Sequence, residues 1–307
     1  MSVLKSVGLT KVYKKSTKPA LDSFTIEIEE GQIFTLLGRN GAGKTTFLRI
    51  AGTQLLPTSG TITVLGFDAV KQAKEVRKRI AFTPQEAETI YPLTPRDHIM
   101  LSLRMRGMDK AEAAQRTNAT MEELELTVVA DKNTSWLSGG FKQRVMVAMS
   151  LATDAELLFL DEPSIGLDPV SRRKVWEQLT RLKDAGRTII LTTHYMDEAE
   201  ALSDNLAIIN KGRIVAEGTA QSITKFVSSE TTRIDVYDKF EEDELKEYGR
   251  VVRIASRLRV LTSSEKARKL SEEALARGAD ISIAPVTLDD VFVDIVGEAE
   301  KGEENEE

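Results

Sequence analysis

The feature that most constrains the fold is a glycine-rich segment between a short apolar run and a helical pattern. The apolar run is Ile33–Leu37, the segment is Gly38–Thr45 with the letters GRNGAGKT, and the helical pattern is Thr46–Ala51. Glycines let backbone N–H groups approach phosphate oxygens, and a helix N-terminus adds the positive end of its dipole. The sequence therefore predicts a strand, a phosphate-binding loop and a helix that together bind a nucleoside triphosphate.

Two side chains at the end of this segment have the chemistry that a triphosphate requires. We expect Lys44 to reach the β- and γ-phosphates and the Thr45 hydroxyl to bind Mg²⁺. The flanking strand and helix argue against the alternative, a glycine-rich turn without a function. The other loop and helix residues predicted to bind the nucleotide are Gly38, Arg39, Asn40, Gly41, Ala42, Gly43 and Thr46.

Two adjacent acids, Asp161 and Glu162, follow another short apolar run, Leu157–Leu160. An acid at the carboxyl end of a buried strand can hold magnesium through water, and the next one can polarise the attacking water. The alternative is a pair of solvated acids without a chemical role. Beside a phosphate-binding loop, we expect Asp161 to bind Mg²⁺ and Glu162 to be the catalytic base.

The apolar runs also indicate the fold class, which is α/β. Ile33–Leu37, Leu157–Leu160 and Thr188–Leu191 are short and continuous, as buried parallel strands require, and helical patterns separate them. Leu21–Gln32 alternates apolar and polar residues, which is the period of a strand with one wet face. We predict a P-loop NTPase core with an antiparallel β subdomain and a helical insertion at about residues 90–150, all within a first domain of residues 1–227.

A small α+β domain is predicted for residues 228–307. Its pattern reads strand, helix, two strands, helix and strand, followed by an amphipathic helix Leu288–Val296. The segment contains no histidine, no cysteine and no glycine-rich turn after a strand, so we expect a regulatory or dimer-supporting role.

A serine and two glycines, Ser138, Gly139 and Gly140, open another helical pattern. By themselves they read as an N-cap with exposed N–H groups, and a plain N-cap is the alternative to a second anion site. Together with the phosphate-binding loop and the segment Leu157–Pro163, however, they resemble the ABC ATPase family across residues 3 to about 220.

The resemblance implies a dimer of two such chains with two ATP molecules between them, in which Ser138, Gly139 and Gly140 complete the site of the partner subunit. It implies that Tyr13 stacks on adenine, that Gln85 contacts magnesium, and that the loop with Asp168 is exchanged across the dimer. It also makes His194 a catalytic residue, with Lys44 and Glu162, through its contact with the γ-phosphate. Without the order of the family's motifs along the chain, Tyr13 would be interpreted as a surface tyrosine and His194 as a residue without a role. His98 receives no role.

Two further segments bear on the kind of ABC protein. Thr287–Phe292 is similar to the C-terminal element of the branch that serves drug and antibiotic exporters, although its apolar residues also fit the core stripe of a terminal helix. Tyr91–Thr94 resembles the segment that meets a membrane permease on a separate chain. Phe141 departs from the family, which most often has glutamine there; we expect binding in trans to survive this change.

The main alternative is a non-transport ABC ATPase that acts on nucleic acid or ribosomes. The long coiled coil and the paired cassettes of such proteins are absent, and no basic stripe for nucleic acid is found. A P-loop kinase would leave the Ser-Gly-Gly segment and His194 without a role. With no apolar run of about 20 residues, no secretory signal and no cysteine, we expect a cytoplasmic protein. The resemblance implies a homodimer, or a heterodimer with a related chain, held at the cytoplasmic face of the membrane by its permease.

Overall fold

The computed structural model describes residues 1–14, 16–85, 89–227 and 230–292. The chain divides into two compact units, Met1–Glu217 and Gly218–Glu307. This division falls earlier in the chain than the boundary predicted at residue 227, so that the helix Ala220–Val227 belongs to the second unit.

The first unit is built on two sheets. A four-stranded antiparallel sheet has the order β2-β1-β4-β5, and a six-stranded sheet has the order β10-β9-β3-β8-β7-β6. The strands are β1 Ser2–Lys11, β2 Leu21–Glu29, β3 Ile33–Leu37, β4 Ser59–Val64, β5 Phe67–Asp68, β6 Ile80–Thr83, β7 Leu157–Asp161, β8 Thr188–Thr193, β9 Asn205–Asn210 and β10 Arg213–Gly218. Strands β6, β7, β8, β3 and β9 pair in parallel, which confirms the predicted α/β class.

The helices of this unit include the predicted helical insertion between β6 and β7. They are α1 Lys44–Ala51, α2 Ala73–Arg79, α3 Pro95–Met105, α4 Lys110–Glu123, α5 Gly139–Leu151, α6 Pro169–Asp184 and α7 Met196–Leu202. Thr94 begins α3 with a capping box, in which its side chain accepts from the Asp97 N–H. Asp168 is the N-cap of α6, and its side chain accepts from the N–H groups of Val170 and Ser171.

The parallel sheet separates two hydrophobic cores because successive side chains of a strand point to opposite faces. Phe34 and Phe159 pack with the antiparallel sheet and α1 in one core. Ile33 and Leu158 pack with the helical insertion in the other. The central strands are therefore buried on both faces, whereas β2 alternates buried and exposed residues as predicted.

The second unit contains α8 Ala220–Val227 and an antiparallel sheet with the order β12-β13-β11-β14. Its elements are β11 Thr232–Val236, α9 Glu242–Leu245, β12 Arg250–Ile254, β13 Arg257–Thr262, α10 Ser264–Arg277 and β14 Ile281–Pro285. Residues 288–292 are helical, and the rest of the predicted terminal helix lies outside the described residues. Ion pairs from Asp290 to Arg233 and Arg259 join this helical segment to the sheet.

Candidate functional site

The glycine-rich loop lies between the end of β3 and the start of α1, and its backbone leaves no room for side chains at two positions. A Cβ on Gly38 would lie 2.4 Å from the Ile209 carbonyl oxygen. Gly43 has φ of +111°, and a Cβ there would lie 2.4 Å from the Ala20 carbonyl oxygen. Both glycines are therefore required by close backbone contacts, which hold the loop against β9 and the chain before β2.

A cavity of about 340 Å³ opens over this loop. It brings together the loop, the first residues of α1, the residue after β7 and the segment after β6. The lining residues are Ala20, Asn40, Gly41, Ala42, Gly43, Lys44, Thr45, Thr46, Gln85 and Glu162. Most of the predicted nucleotide-binding residues therefore share one cavity, and Ala20 is a lining residue that sequence reasoning missed.

Lys44 is buried at the base of the cavity. Its Nζ donates to the carbonyl oxygens of Gly38 at 2.7 Å and Arg39 at 3.2 Å, and forms an ion pair with Glu162 Oε1 at 3.4 Å. Burial lowers the pKa of Lys44, and the neighbouring charge of Glu162 opposes that change. The ammonium group is thus fixed where a phosphate can reach it.

Asp161 ends β7 and contacts hydroxyl groups from two other elements. Its Oδ1 accepts from Thr45 Oγ1 at 3.1 Å and from Thr192 Oγ1, on β8, at 2.6 Å. Burial raises the pKa of Asp161, while these two hydrogen bonds act in the opposite direction. Thr192 was not predicted from the sequence, because only the pairing of β7 with β8 brings it to Asp161.

Glu162 and His194 follow the ends of neighbouring parallel strands, so their side chains meet. Glu162 Oε2 lies 2.8 Å from His194 Nδ1. The Glu162 side chain is buried, with 5% of its surface exposed, while that of His194 is 30% exposed. Glu162 also has a positive φ of 50°, an uncommon conformation for a residue with a side chain. Its carboxylate contacts Lys44 through one oxygen and His194 through the other.

The Ser-Gly-Gly segment begins α5. Ser138 Oγ accepts from the Phe141 N–H at 3.4 Å, which is the predicted N-cap. Phe141 packs under Arg144, whose guanidinium carbon lies 4.4 Å from the ring centroid. Ser138 and Gly139 are exposed, and neither they nor Gly140 is among the described residues that line the cavity.

Tyr13, His194 and Asp168 also lie outside the set of described residues that line the cavity. The Tyr13 hydroxyl is 3.2 Å from Thr46 Oγ1, so the ring is attached to the first turn of α1. Asp168 is exposed and bonds to the backbone of α6.

A phosphate-binding loop at the carboxyl edge of a parallel sheet, with one acid at the end of a strand of that sheet and a second directly after it, defines a P-loop nucleotide hydrolase. The family model described as ABC transporter matches residues 21–165. The chain is 37% identical over 235 residues to the daunorubicin/doxorubicin resistance ATP-binding protein DrrA of Streptomyces peucetius, covering 76% of this chain and 71% of that protein. It is 34% identical over 310 residues to the daunorubicin resistance ATP-binding protein DrrA2 of Streptomyces coeruleorubidus, covering 94% of each.

Among solved structures, the chain is similar to an ATP-binding cassette described as a dimer in a post-hydrolysis state with ADP and Pi. The identity is 27%, the TM-score is 0.66, and the match covers 70% of this chain and 98% of that one. The chain belongs to the ABC transporter family. It is an ATP-binding and ATP-hydrolysing subunit of an ABC transporter, as the sequence predicted, and the alternative of a non-transport ABC ATPase is not supported. No helix in the described part of the chain is long and apolar enough to cross a membrane.

Proposed function

We propose that the chain powers an exporter of drug-like compounds by binding ATP, dimerising around it and hydrolysing it beneath a permease carried on another chain. The observation that carries the hydrolytic part is the contact of Glu162 with both Lys44 and His194 beside the phosphate-binding loop. The names of the two drug-resistance relatives support export.

In this proposal the triphosphate occupies the cavity over the loop. Backbone N–H groups of the loop and the N-terminus of α1 bind the phosphates. Lys44 leaves its ion pair with Glu162 and forms ion pairs with the β- and γ-phosphates instead. Tyr13 stacks on adenine from its position beside Thr46. The proposed nucleotide-binding residues are Tyr13, Gly38, Arg39, Asn40, Gly41, Ala42, Gly43, Lys44, Thr45 and Thr46.

Hydrolysis then depends on Glu162 and His194. A carboxylate released from Lys44 can accept a proton from a water molecule placed next to the γ-phosphate. His194 holds the second carboxylate oxygen at 2.8 Å and so fixes the direction in which the first one points. We propose Glu162 as the base, and His194 and Lys44 as the residues that orient it and stabilise the phosphoryl charge.

The residues Thr45, Asp161 and Gln85 fit a magnesium ion. They present a hydroxyl, a carboxylate and an amide, whose oxygens are the hard ligands that Mg²⁺ prefers. In the described part of the chain, no group of three or more His, Cys, Asp or Glu residues could hold a metal ion by itself, so phosphate oxygens and water must complete the coordination. The ion would neutralise charge that develops on the phosphates.

The proposed dimer is supported by the positions of Ser138, Gly139, Gly140 and Asp168. Two of these residues, Ser138 and Gly139, present an exposed helix N-terminus that is suited to phosphate but lies apart from the cavity lining of its own chain. We propose that they bind the ATP held by the partner subunit, which is a second copy or a related chain, and that the Asp168 loop crosses the same interface.

The proposed contact with the permease lies at the start of the helical insertion. Ile90 and Tyr91 are 58% and 74% exposed on the turn before α3, as a contact surface for a membrane subunit requires. We propose peripheral attachment at the cytoplasmic face through this turn. For residues 228–307 we propose a regulatory or dimer-supporting role.

The direct test uses the purified chain with ATP and its co-expression with a candidate permease. Phosphate release that requires Mg²⁺, and drug efflux that is lost in Glu162→Gln, would support the proposal. Turnover that is unchanged in EDTA would overturn the magnesium assignment, and permease-dependent efflux that persists in Glu162→Gln would overturn the coupling of export to this site.

A further inference from the structure

A buried carboxyl group, that of Glu198, contacts the turn that follows the proposed base Glu162. Glu198 is in the first turn of α7, and its residue surface is 0% exposed. Its Oε1 accepts from Ser164 Oγ and, at 2.9 Å, from Trp176 Nε1 of α6. Within the described ranges no lysine, arginine or histidine forms an ion pair with Glu198. Burial raises the pKa of Glu198, while hydrogen bonds from Ser164, Thr193 and Trp176 act in the opposite direction.

Ser164 connects this group to Glu162. Ser164 lies in the turn Glu162–Ile165, which is closed by a hydrogen bond of 3.1 Å from the Ile165 N–H to the Glu162 carbonyl oxygen. Glu162, with its positive φ, is the strained residue of the turn, and such a conformation persists only where its surroundings enforce it. The Ser164 hydroxyl is itself buried, so its bond to Glu198 is shielded from water.

The contacts form a closed ring. The Glu162 side chain bonds to His194, and the chain continues from His194 through Tyr195 into α7, which carries Glu198. Glu198 bonds to Ser164, and the turn leads back to the Glu162 backbone. Glu162 is thus attached to the start of α7 twice, once through its carboxylate and once through its backbone. We expect a shift of either attachment to change the direction of the carboxylate.

We propose that Glu198 is a positioning residue for ATP hydrolysis, which holds the Glu162 turn against α7 and so aligns Glu162 with His194. The inference rests on the roles proposed above for those two residues. Glu198 touches neither nucleotide nor water in this role. Its contribution is the placement of the base, and a misplacement of about 1 Å can cost about 10²-fold in rate.

The test compares Glu198→Ala with Glu198→Gln. The amide oxygen of glutamine can still accept from Ser164 and Trp176, and no positive charge loses its partner, so we expect Glu198→Gln to keep turnover within about threefold of the wild type. Glu198→Ala should lower kcat by about 10- to 100-fold without raising KM for ATP, because the substitution replaces none of the residues that line the cavity. Glu177→Ala, an exposed position next to Trp176, is the matched control.

Ser164→Ala and Trp176→Phe extend the test in case Glu198→Ala does not fold. Each removes one donor to Glu198 and should lower kcat by several fold without a change in KM. The double variant Ser164→Ala with Glu198→Ala should be no slower than Glu198→Ala, because both remove the same bond.

Three outcomes would overturn the proposal. They are full turnover in a folded Glu198→Ala, equal loss in Glu198→Gln and Glu198→Ala, and an increase in KM with unchanged kcat. Glu162→Gln is measured in parallel. Full turnover in that variant would overturn the proposed base itself, whereas slow Glu162→Gln with normal Glu198→Ala overturns only the positioning role.

Discussion

The replacement of Glu162 by glutamine separates ATP binding from ATP hydrolysis. Glutamine has nearly the same size but cannot accept the proton of the attacking water. General-base catalysis contributes about 10²- to 10⁴-fold to a rate, so we expect phosphate release to fall by at least about 10²-fold.

The structure also predicts that this variant binds ATP more tightly. Lys44 Nζ lies 3.4 Å from Glu162 Oε1, and each side chain is only 5% exposed. Two unit charges at that distance attract by about 5 kcal/mol at an effective dielectric constant of about 20. In a buried pair, desolvation offsets most of this attraction. We therefore expect the binding free energy of ATP to become about 1–2 kcal/mol more favourable when the Glu162 carboxylate no longer competes for Lys44, which is roughly 5- to 30-fold in affinity.

Calorimetry with ATP gives the affinity, a phosphate-release assay gives the turnover, and gel filtration shows whether ATP converts monomer to dimer. Glu75→Gln is the matched control, because it also removes a carboxylate beside a lysine, Lys78 at 2.9 Å, but on an exposed surface. Turnover within tenfold of the wild type would refute the role of Glu162, and weaker ATP binding would refute the argument from Lys44. A monomer both with and without ATP would count against the dimer.

Three further predictions concern the loop and the C-terminal unit. Lys44→Ala should abolish ATP binding or nearly so; unchanged calorimetric affinity would contradict the proposed site. Asp290→Asn should lower the free energy of unfolding of the second unit by about 1.5–3 kcal/mol in a denaturant titration, since Arg233 and Arg259 lose a counter-charge while Arg259 keeps its ion pair with Asp235. Burial raises the pKa of Asp290, but hydrogen bonds from Thr287 and the charges of the two arginines lower it overall. The stabilisation from Asp290 is therefore fully present above the ordinary carboxyl pKa and is lost as pH falls through the lowered pKa. A difference in unfolding free energy between the wild type and Asp290→Asn that does not change with pH would contradict this. A chain cut after Val227 should keep its ATP affinity, and loss of affinity in a folded fragment would refute an accessory role for the remainder.

The phosphate-binding loop could be predicted because its determinants are local. The spacing of glycines, Lys44 and Thr45 lies within eight consecutive residues, and the apolar strand before it sets the context. The same holds for β2, whose alternating apolar and polar residues predict which side chains are buried, and for the N-cap of α5 at Ser138. In each case the sequence pattern and the structure depend on neighbours along the chain.

The contacts of Glu198 could not be predicted, for the opposite reason. Asp197 and Glu198 are adjacent acids in the first turn of a helix, where both would be expected in solvent facing the helix dipole. Only the packing of α6 against α7 buries Glu198 and leaves Asp197 exposed to solvent. Asp290 is similar, since its neighbours Arg233 and Arg259 come from strands well before it in the chain.

The two attachments of Glu162 become important when ATP arrives. In the structure one carboxylate oxygen contacts Lys44 and the other contacts His194. If phosphate takes Lys44, the first oxygen is released, and the carboxylate loses the partner that kept it from acting as a base. A carboxylate held by His194 alone could turn away from the attacking water. In our proposal the bond from Ser164 to Glu198 holds the turn that begins at Glu162, so the base can be released from Lys44 without losing its direction.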